Sequence, residues 1–163
     1  MSKLAFTLKE LVAAIAPSSD AETEGRIARQ VRHWTAMDLL TPIDGKNTGT
    51  GVSRKYDIDE IRKAAILLEY GRYRVPIPVL HESFSDFSEH WTDAPAWTEA
   101  ISGRHSVYLY TAYSENFIFC QIARRDAVIS LLDPKPGTGV HPELQPISAI
   151  VINLTRLFAR LNL

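Results

Sequence analysis

One stretch, residues 26–34, constrains the fold of this chain more than any other, because it separates apolar from polar side chains at helical spacing. Ile27, Val31 and Trp34 stand at i, i+4 and i+7 and therefore share one face of an α-helix. The polar side chains fall elsewhere on the same cylinder: Arg26, Arg29, Gln30 and His33. The pattern predicts a helix with one face buried in a core and the other free to make contacts.

The side chains on the free face belong to types that recognise nucleic acid. Arg and Gln make paired hydrogen bonds to guanine and adenine edges in the major groove, and Arg also binds phosphate through two hydrogen bonds. We interpret the stretch as a DNA-recognition helix. The alternative, a solvated basic helix without a partner, stays open on these residues alone.

Another helix is predicted directly before this one. Thr7 and Glu10 have the spacing of a capping box, and an apolar stripe follows at positions 8, 11, 12 and 15. Pro17 and the polar residues after it end that helix, and Asp20 or Thr23 caps the next. Two helices joined by a short polar turn predict a helix-turn-helix.

A hairpin wing is predicted after the recognition helix. Leu39 and Leu40 are expected to close the core, and the glycine-rich segment 45–51 separates two short candidate strands, at Ile43 and at residues 52–56. The region carries cations that suit contact with a phosphate backbone: Lys46, Arg54 and Lys55.

A third helix is predicted over residues 58–70. Asp57 or Asp59 is its expected cap, and Gly71 is its expected stop. Residues 73–78 are predicted to be an extended linker, because two nearby prolines disfavour a helix there.

The order of helix, recognition helix, wing and helix resembles the N-terminal DNA-binding domain of the MerR family of transcriptional regulators. The resemblance covers roughly residues 6–77 and is carried by Val31-Arg32-His33-Trp34 with Asp38-Leu39-Leu40-Thr41-Pro42, by Gly51-Val52-Ser53-Arg54-Lys55-Tyr56 and by Asp57-Ile58-Asp59-Glu60-Ile61. It implies that one set of side chains clamps the DNA backbone: Arg32, His33 and Arg54. It implies that another set faces the bases: Arg26, Arg29 and Gln30.

Several features depart from the family pattern. The linker before the recognition helix is longer, the wing has an inserted residue and lacks the aromatic residue after its glycine, and no long dimerisation helix follows. The metal-binding cysteines of the family are absent as well, so the resemblance does not imply metal sensing.

Charge gives only local support to a DNA-binding function. The 163 residues carry a net charge of −1. Residues 1–75 hold 12 Lys and Arg against 10 Asp and Glu, net +2, and residues 76–163 hold 6 against 9, net −3. Any affinity for DNA must therefore come from local clustering of cations. The single cysteine, Cys120, excludes an internal disulfide framework and favours a reducing cytoplasm.

The second half is predicted to combine helices with an antiparallel sheet. One or two helices are expected over residues 78–102, and a three-stranded meander over residues 107–112, 117–123 and 127–132. A strand to about Ile152, a cap at Asn153 and a helix to Leu161 are expected at the end. Three tyrosines suit either a small-molecule pocket or core packing: Tyr108, Tyr110 and Tyr113. His81 and His90 are not spaced as a metal site.

Together these patterns predict an α+β protein, with a winged helix-turn-helix over residues 1–77 and a small antiparallel-sheet plus helix region over residues 78–163. We expect a cytoplasmic, sequence-specific regulator that binds double-stranded DNA as a homodimer, without a cofactor or a membrane partner; a small-molecule effector is not identified by the sequence. The alternative is a winged-helix protein-interaction module whose sheet domain binds a ligand or peptide. An enzyme is not expected, because no catalytic constellation stands at recognisable spacing.

Overall fold

The computed structural model of the chain describes residues 4–45, 53–85, 94–113, 118–132 and 148–163. Helices and strands both occur there, and the strands form two small antiparallel sheets, which confirms the expected α+β class. The chain divides into two units: Met1–Tyr73 with Arg160–Leu163, and Arg74–Ala159. In the described ranges no helix combines the length and apolar character needed to cross a membrane.

The first unit begins with two capped helices. Strand β1, Phe6–Thr7, leads into α1, Leu8–Ile15, and Thr7 forms the predicted capping box with Glu10. The Glu10 amide donates to the Thr7 hydroxyl at 3.3 Å, and the Thr7 amide donates to the Glu10 carboxylate at 2.7 Å. Helix α2, Ala21–Ala36, is capped by Asp20, which accepts a hydrogen bond from the Thr23 amide at 2.8 Å. Both caps follow from local sequence and are confirmed.

The core of this unit lies between α1, α2 and α3, Ile58–Arg72. The predicted inner face of α2 is buried, with Ile27 and Val31 fully inside and Trp34 4% exposed. Other buried apolar residues of the unit are Leu11, Val12, Ala14, Ile15, Leu39, Leu40, Tyr56, Ile61, Ala64, Ala65, Ile66, Leu67 and Tyr70. The period of apolar residues therefore predicted correctly which face of α2 turns inward.

Helix α3 runs past its predicted end. Asp57 caps it as expected, accepting hydrogen bonds from the amides of Asp59 and Glu60 at 3.1 and 2.9 Å. Gly71, the predicted stop, lies inside the helix, and that prediction was wrong. Gly71 does not take the left-handed conformation that commonly ends helices; the chain instead leaves the helix at Tyr73, whose amide donates to the Tyr70 carbonyl at 3.0 Å.

The strands of the predicted wing pair differently from expectation. Strand β2, Lys55–Tyr56, pairs antiparallel with β1, in the register Phe6↔Tyr56 and Thr7↔Lys55. Ile43 is in a turn, and its amide donates to the Lys55 carbonyl at 2.8 Å. The prediction of Ile43 as a strand was therefore wrong, because an N-terminal strand that the sequence analysis missed pairs with β2. Residues 46–52, including Lys46, lie outside the described residues.

The second unit begins with α4, Ile77–Ser85, and α5, Pro95–Ser102. The predicted linker over residues 73–78 is therefore too long. Pro78 lies in the first turn of α4, where its missing amide hydrogen costs no intrahelical bond. Leu80 and Phe84, four positions apart along α4, are both buried.

The three-stranded sheet of the second unit has the order β4-β3-β5, with β3 Val107–Tyr113, β4 Ile118–Arg124 and β5 Ser148–Asn153. Both pairings of β3 are antiparallel. The third predicted strand, over residues 127–132, was wrong, because this segment belongs to a helix, α6, Arg125–Leu132. Val128 and Leu131 lie at helical spacing and pack in one hydrophobic cluster with residues of the sheet. The third strand of the sheet is β5, which pairs with the other edge of β3.

The predicted strand, cap and helix at the C-terminus are present. Asn153 caps α7, Leu154–Phe158, and its side chain accepts from the Arg156 amide at 2.9 Å. The helix is shorter than expected, and Arg160–Leu163 belongs to the first unit, where the Asn162 amide donates to the Ala14 carbonyl at 3.3 Å.

Candidate nucleic-acid interface

The outer face of α2 carries a compact group of cationic side chains. At about 100° per residue, the positions of Arg26, Arg29, Arg32 and His33 span roughly 120° of the helix, centred opposite its buried face. All four side chains are exposed. The Asp20 cap and the buried apolar face fix this helix, so the four side chains project from a rigid element.

Gln30 lies at the margin of this face. Its side chain is half-buried, and its Oε1 accepts a long hydrogen bond, 3.4 Å, from Arg26. A Cβ added at Gly71 of α3 would lie 4.0 Å from Gln30 Nε2, so the amide sits beside the end of α3. Of the five residues predicted on this helix, four share the exposed face and Gln30 borders it.

The cations of α3 provide a contrast with those of α2. Each of three α3 cations forms an ion pair with a carboxylate three residues earlier: Arg62 with Asp59 at 2.7 Å, Lys63 with Glu60 at 2.6 Å and Arg72 with Glu69 at 3.0 Å. Within the ranges that the structure describes, no ion pair involves a cation of α2. Ion pairs within the described residues therefore neutralise the cations of α3 but not those of α2.

Two acidic residues stand in the first turn of α2, Glu22 and Glu24. They favour helix formation at the positive end of the helix dipole. The Glu22 side chain is exposed, and the Glu24 side chain is half-buried. The cationic character of the outer face therefore begins at Arg26 and belongs to the later turns of the helix.

The predicted wing contributes two cations in the described part of the chain. Lys55 in β2 is exposed, and Arg54 before it is half-buried. A buried hydrogen bond, 3.0 Å between the hydroxyls of Thr35 and Tyr56, joins α2 to β2. The strand that carries Lys55 is thus tied directly to the helix that carries the Arg residues.

A buried carboxylate holds the segment that follows α2. Glu60 is 6% exposed, and its Oε2 accepts a hydrogen bond from the Thr41 amide at 2.8 Å, while Oε1 pairs with Lys63. The roles of Thr35, Tyr56 and Glu60 were not predicted from the sequence. Their partners are about twenty positions away along the chain, and no local pattern reports such a pair.

Tyrosines of the second unit divide between core and groove. Tyr110 is buried in the core, and burial raises the pKa of its hydroxyl. Tyr108 lines an open groove of about 230 Å³, together with Arg125, Val128, Ile129 and Val151. Core packing is therefore confirmed for Tyr110, and a small-molecule pocket at Tyr108 stays a prediction.

Within the described ranges, no group of three or more His, Cys, Asp or Glu is placed to hold a metal ion. His81 is exposed, and His90 lies outside those ranges. Cys120 is half-buried, with its Sγ 3.3 Å from the Thr111 hydroxyl.

Comparison with known proteins assigns the chain to no family. No family model matches it, and no curated protein is significantly similar to it. Its function has to be inferred from the geometry of α2, β2 and their surroundings.

Proposed function

We propose that this protein is a sequence-specific, double-stranded DNA-binding transcriptional regulator whose first unit acts as a MerR-like winged helix. The observation that carries the proposal is the set of exposed, unneutralised cations on α2, on a helix whose opposite face is buried. A helix with this division of faces fits the major groove of B-DNA, which is wide enough to admit an α-helix.

In this proposal α2 supplies the base contacts. Recognition helices contact base edges mainly through residues toward their N-terminal end, and Arg26 and Arg29 are the first two cations of α2. The Arg side chain pairs with O6 and N7 of guanine through two hydrogen bonds. Gln30 supplies an adenine contact only if its amide turns away from the end of α3, so we assign it a smaller part.

Phosphate contacts are assigned to cations on the later part of α2 and on or directly before β2. Arg32 and His33 lie further along α2, Lys55 lies on the strand tied to α2 by Tyr56, and Arg54 directly precedes that strand. Phosphate contacts set the position of a protein on the duplex but carry no sequence information. Lys46 is assigned the same role from the sequence alone.

The proposal includes a homodimer, because a two-fold dimer presents two α2 helices to one duplex. Its binding site should then be a pseudo-palindrome with half-sites about one helical turn apart, or a multiple of that distance. The second unit would supply the dimer contact or bind an effector.

Fluorescence anisotropy tests this function. The full chain is titrated with a duplex from upstream of its own gene and, in parallel, with a random duplex of equal length, across a salt series. We expect the upstream duplex to bind more tightly and its preference to survive as salt rises, because counterion release supplies essentially all of non-specific binding but only a share of specific binding. Equal affinities for the two duplexes, or no binding at low salt, would contradict a sequence-specific regulator.

A further inference from the structure

A groove between α1 and α2 borders the cationic face of the recognition helix. It has a volume of about 280 Å³ and is lined by Leu8, Lys9, Val12, Ala21, Glu24, Gly25, Ala28 and Arg32. Lys9 comes from α1 and Arg32 from α2, and both side chains are exposed. Two cations from different helices therefore meet at one concave surface, next to the side chains assigned to base contacts.

Gly25 in this groove is not explained by the fold. In the described part of the chain, a Cβ added at Gly25 would meet no atom within 4 Å, and the residue does not have a positive φ. Alanine would therefore fit, and it would favour a helix interior, where glycine is destabilising. The missing side chain at Gly25 leaves room for close approach by something outside the chain.

We propose that this groove seats a phosphate of the DNA backbone, with Lys9 and Arg32 as its cationic ligands and Gly25 as the point of closest approach. The inference rests on the proposed function and extends it to Lys9 and Gly25, neither of which the sequence predicted. In helix-turn-helix proteins the first helix crosses the DNA backbone while the second lies in the major groove. Lys9 on α1 is placed for the first of these roles.

The charges of the groove suit a single phosphate. Lys9 and Arg32 contribute two positive charges and Glu24 one negative charge, so the lining keeps a net positive charge. Among the described ion pairs, none joins Glu24 to either cation. Removing the Glu24 charge should therefore strengthen phosphate binding, whereas removing the Lys9 charge should weaken it.

Three variants of the full chain test the proposed phosphate site: Lys9→Gln, Glu24→Gln and Gly25→Ala. A fourth variant, Arg104→Gln, is a control that makes the same charge change as Lys9→Gln in the second unit. Each is titrated with duplex across a salt series, and each is melted without DNA. For Lys9→Gln we expect the slope of log affinity against log salt to fall in magnitude by about 0.9, the value of one lost phosphate contact. Arg104→Gln should keep the wild-type slope.

Gly25→Ala separates a binding role from a folding role. We expect its melting temperature to rise, because alanine favours the helix. We expect its affinity for duplex to fall about tenfold, which is the size of effect expected when one hydrogen bond to a charged group is lost. We expect Glu24→Gln to bind more tightly than wild type.

The outcomes distinguish failure of the proposed phosphate site from failure of the proposed DNA-binding function. If wild type prefers the upstream duplex but Lys9→Gln keeps the wild-type salt slope, or Gly25→Ala binds as tightly as wild type, the phosphate site is ruled out and the proposed function stands. If wild type binds no duplex at low salt, both the phosphate site and the proposed function are contradicted.

Discussion

At the scale of single residues, the buried pair of Thr35 and Tyr56 links the helix that would read DNA to the strand beside it. The Thr35 hydroxyl donates to the Val31 carbonyl at 2.9 Å, which uses its one hydrogen. Tyr56 must therefore be the donor in the 3.0 Å bond between the two hydroxyls. Both side chains are almost completely buried, so neither hydroxyl can exchange its partner for water.

This geometry predicts unequal costs for removing the two hydroxyls. Tyr56→Phe leaves Thr35 bonded to Val31 and should lower the free energy of unfolding by about 0.5–1.5 kcal/mol. Thr35→Val leaves the Tyr56 hydroxyl buried without its acceptor and should cost about 1–3 kcal/mol. Urea unfolding of both variants measures the difference. A larger loss for Tyr56→Phe than for Thr35→Val would contradict the assigned direction of the bond.

The sequence predicts contacts between residues close together and misses those between distant ones. Thr7 with Glu10, Asp20 with Thr23, and Asn153 with Arg156 each lie three positions apart, and a cap pattern reports such pairs directly. Thr35 and Tyr56 are joined only by the folded arrangement of α2 and β2. Lys9 gave no signal in sequence either, since an isolated lysine on an exposed helix face is common.

At the scale of elements, the Asp20 cap makes the start of α2 sensitive to acid. Hydrogen bonds from the Ser18 hydroxyl and the Thr23 amide lower the pKa of Asp20 from the ordinary 3.8 to about 2. A carboxyl whose pKa is lower in the folded state stabilises it at pH values above the unfolded pKa. This contribution is lost as the pH falls from about 3.8 through about 2.

Asp20→Asn tests this cap with little change of shape, because asparagine also caps helices but does not titrate. We expect wild type to be more stable than the variant at neutral pH and to lose that advantage as the pH falls below 3.8. Urea unfolding at several pH values measures the gap between the two proteins. A gap that stays constant down to pH 2 would show that the charge of Asp20 does not hold the cap.

The proposed roles of α2 and β2 predict different binding defects. Arg29→Ala removes a base contact and should cost about 1–3 kcal/mol, mostly for duplexes that keep the preferred base pair at one position. Lys55→Ala removes a phosphate contact and should weaken binding to all duplexes alike, reducing the salt slope by about 0.9. Titrations with single-base variants of one site separate these effects. Uniform loss of affinity in both variants would contradict the division of roles.

Elements were mispredicted where a short pattern fits two structures. The apolar residues of the segment 127–132 suit a buried strand as well as a helix, and the choice depends on β5 pairing with β3. Pro78 lies in the first turn of α4, where its missing amide hydrogen costs no intrahelical bond, and Gly71 does not take the left-handed conformation that commonly ends helices. Long apolar stripes, as in α2 and α3, leave no such ambiguity and were placed correctly.

At the scale of the whole molecule, the net charge of −1 gives no general attraction to DNA. Binding would have to come from one surface, and the sequence predicted most of it: Arg26, Arg29, Arg32 and His33 share the exposed face of α2. The sequence did not predict which cations are neutralised, because ion pairs depend on side-chain geometry. The α+β class, by contrast, followed from alternating stretches of helical and strand periodicity.

The most direct test of the central claim is to map the surface that meets DNA. The amide resonances of the full chain, 18.3 kDa, are followed by two-dimensional NMR during titration with its duplex. We predict that the largest shifts fall on α2 between Arg26 and His33 and on Lys55, while α5 and β5 of the second unit change little. Shifts concentrated in the second unit, with α2 unchanged, would contradict the account.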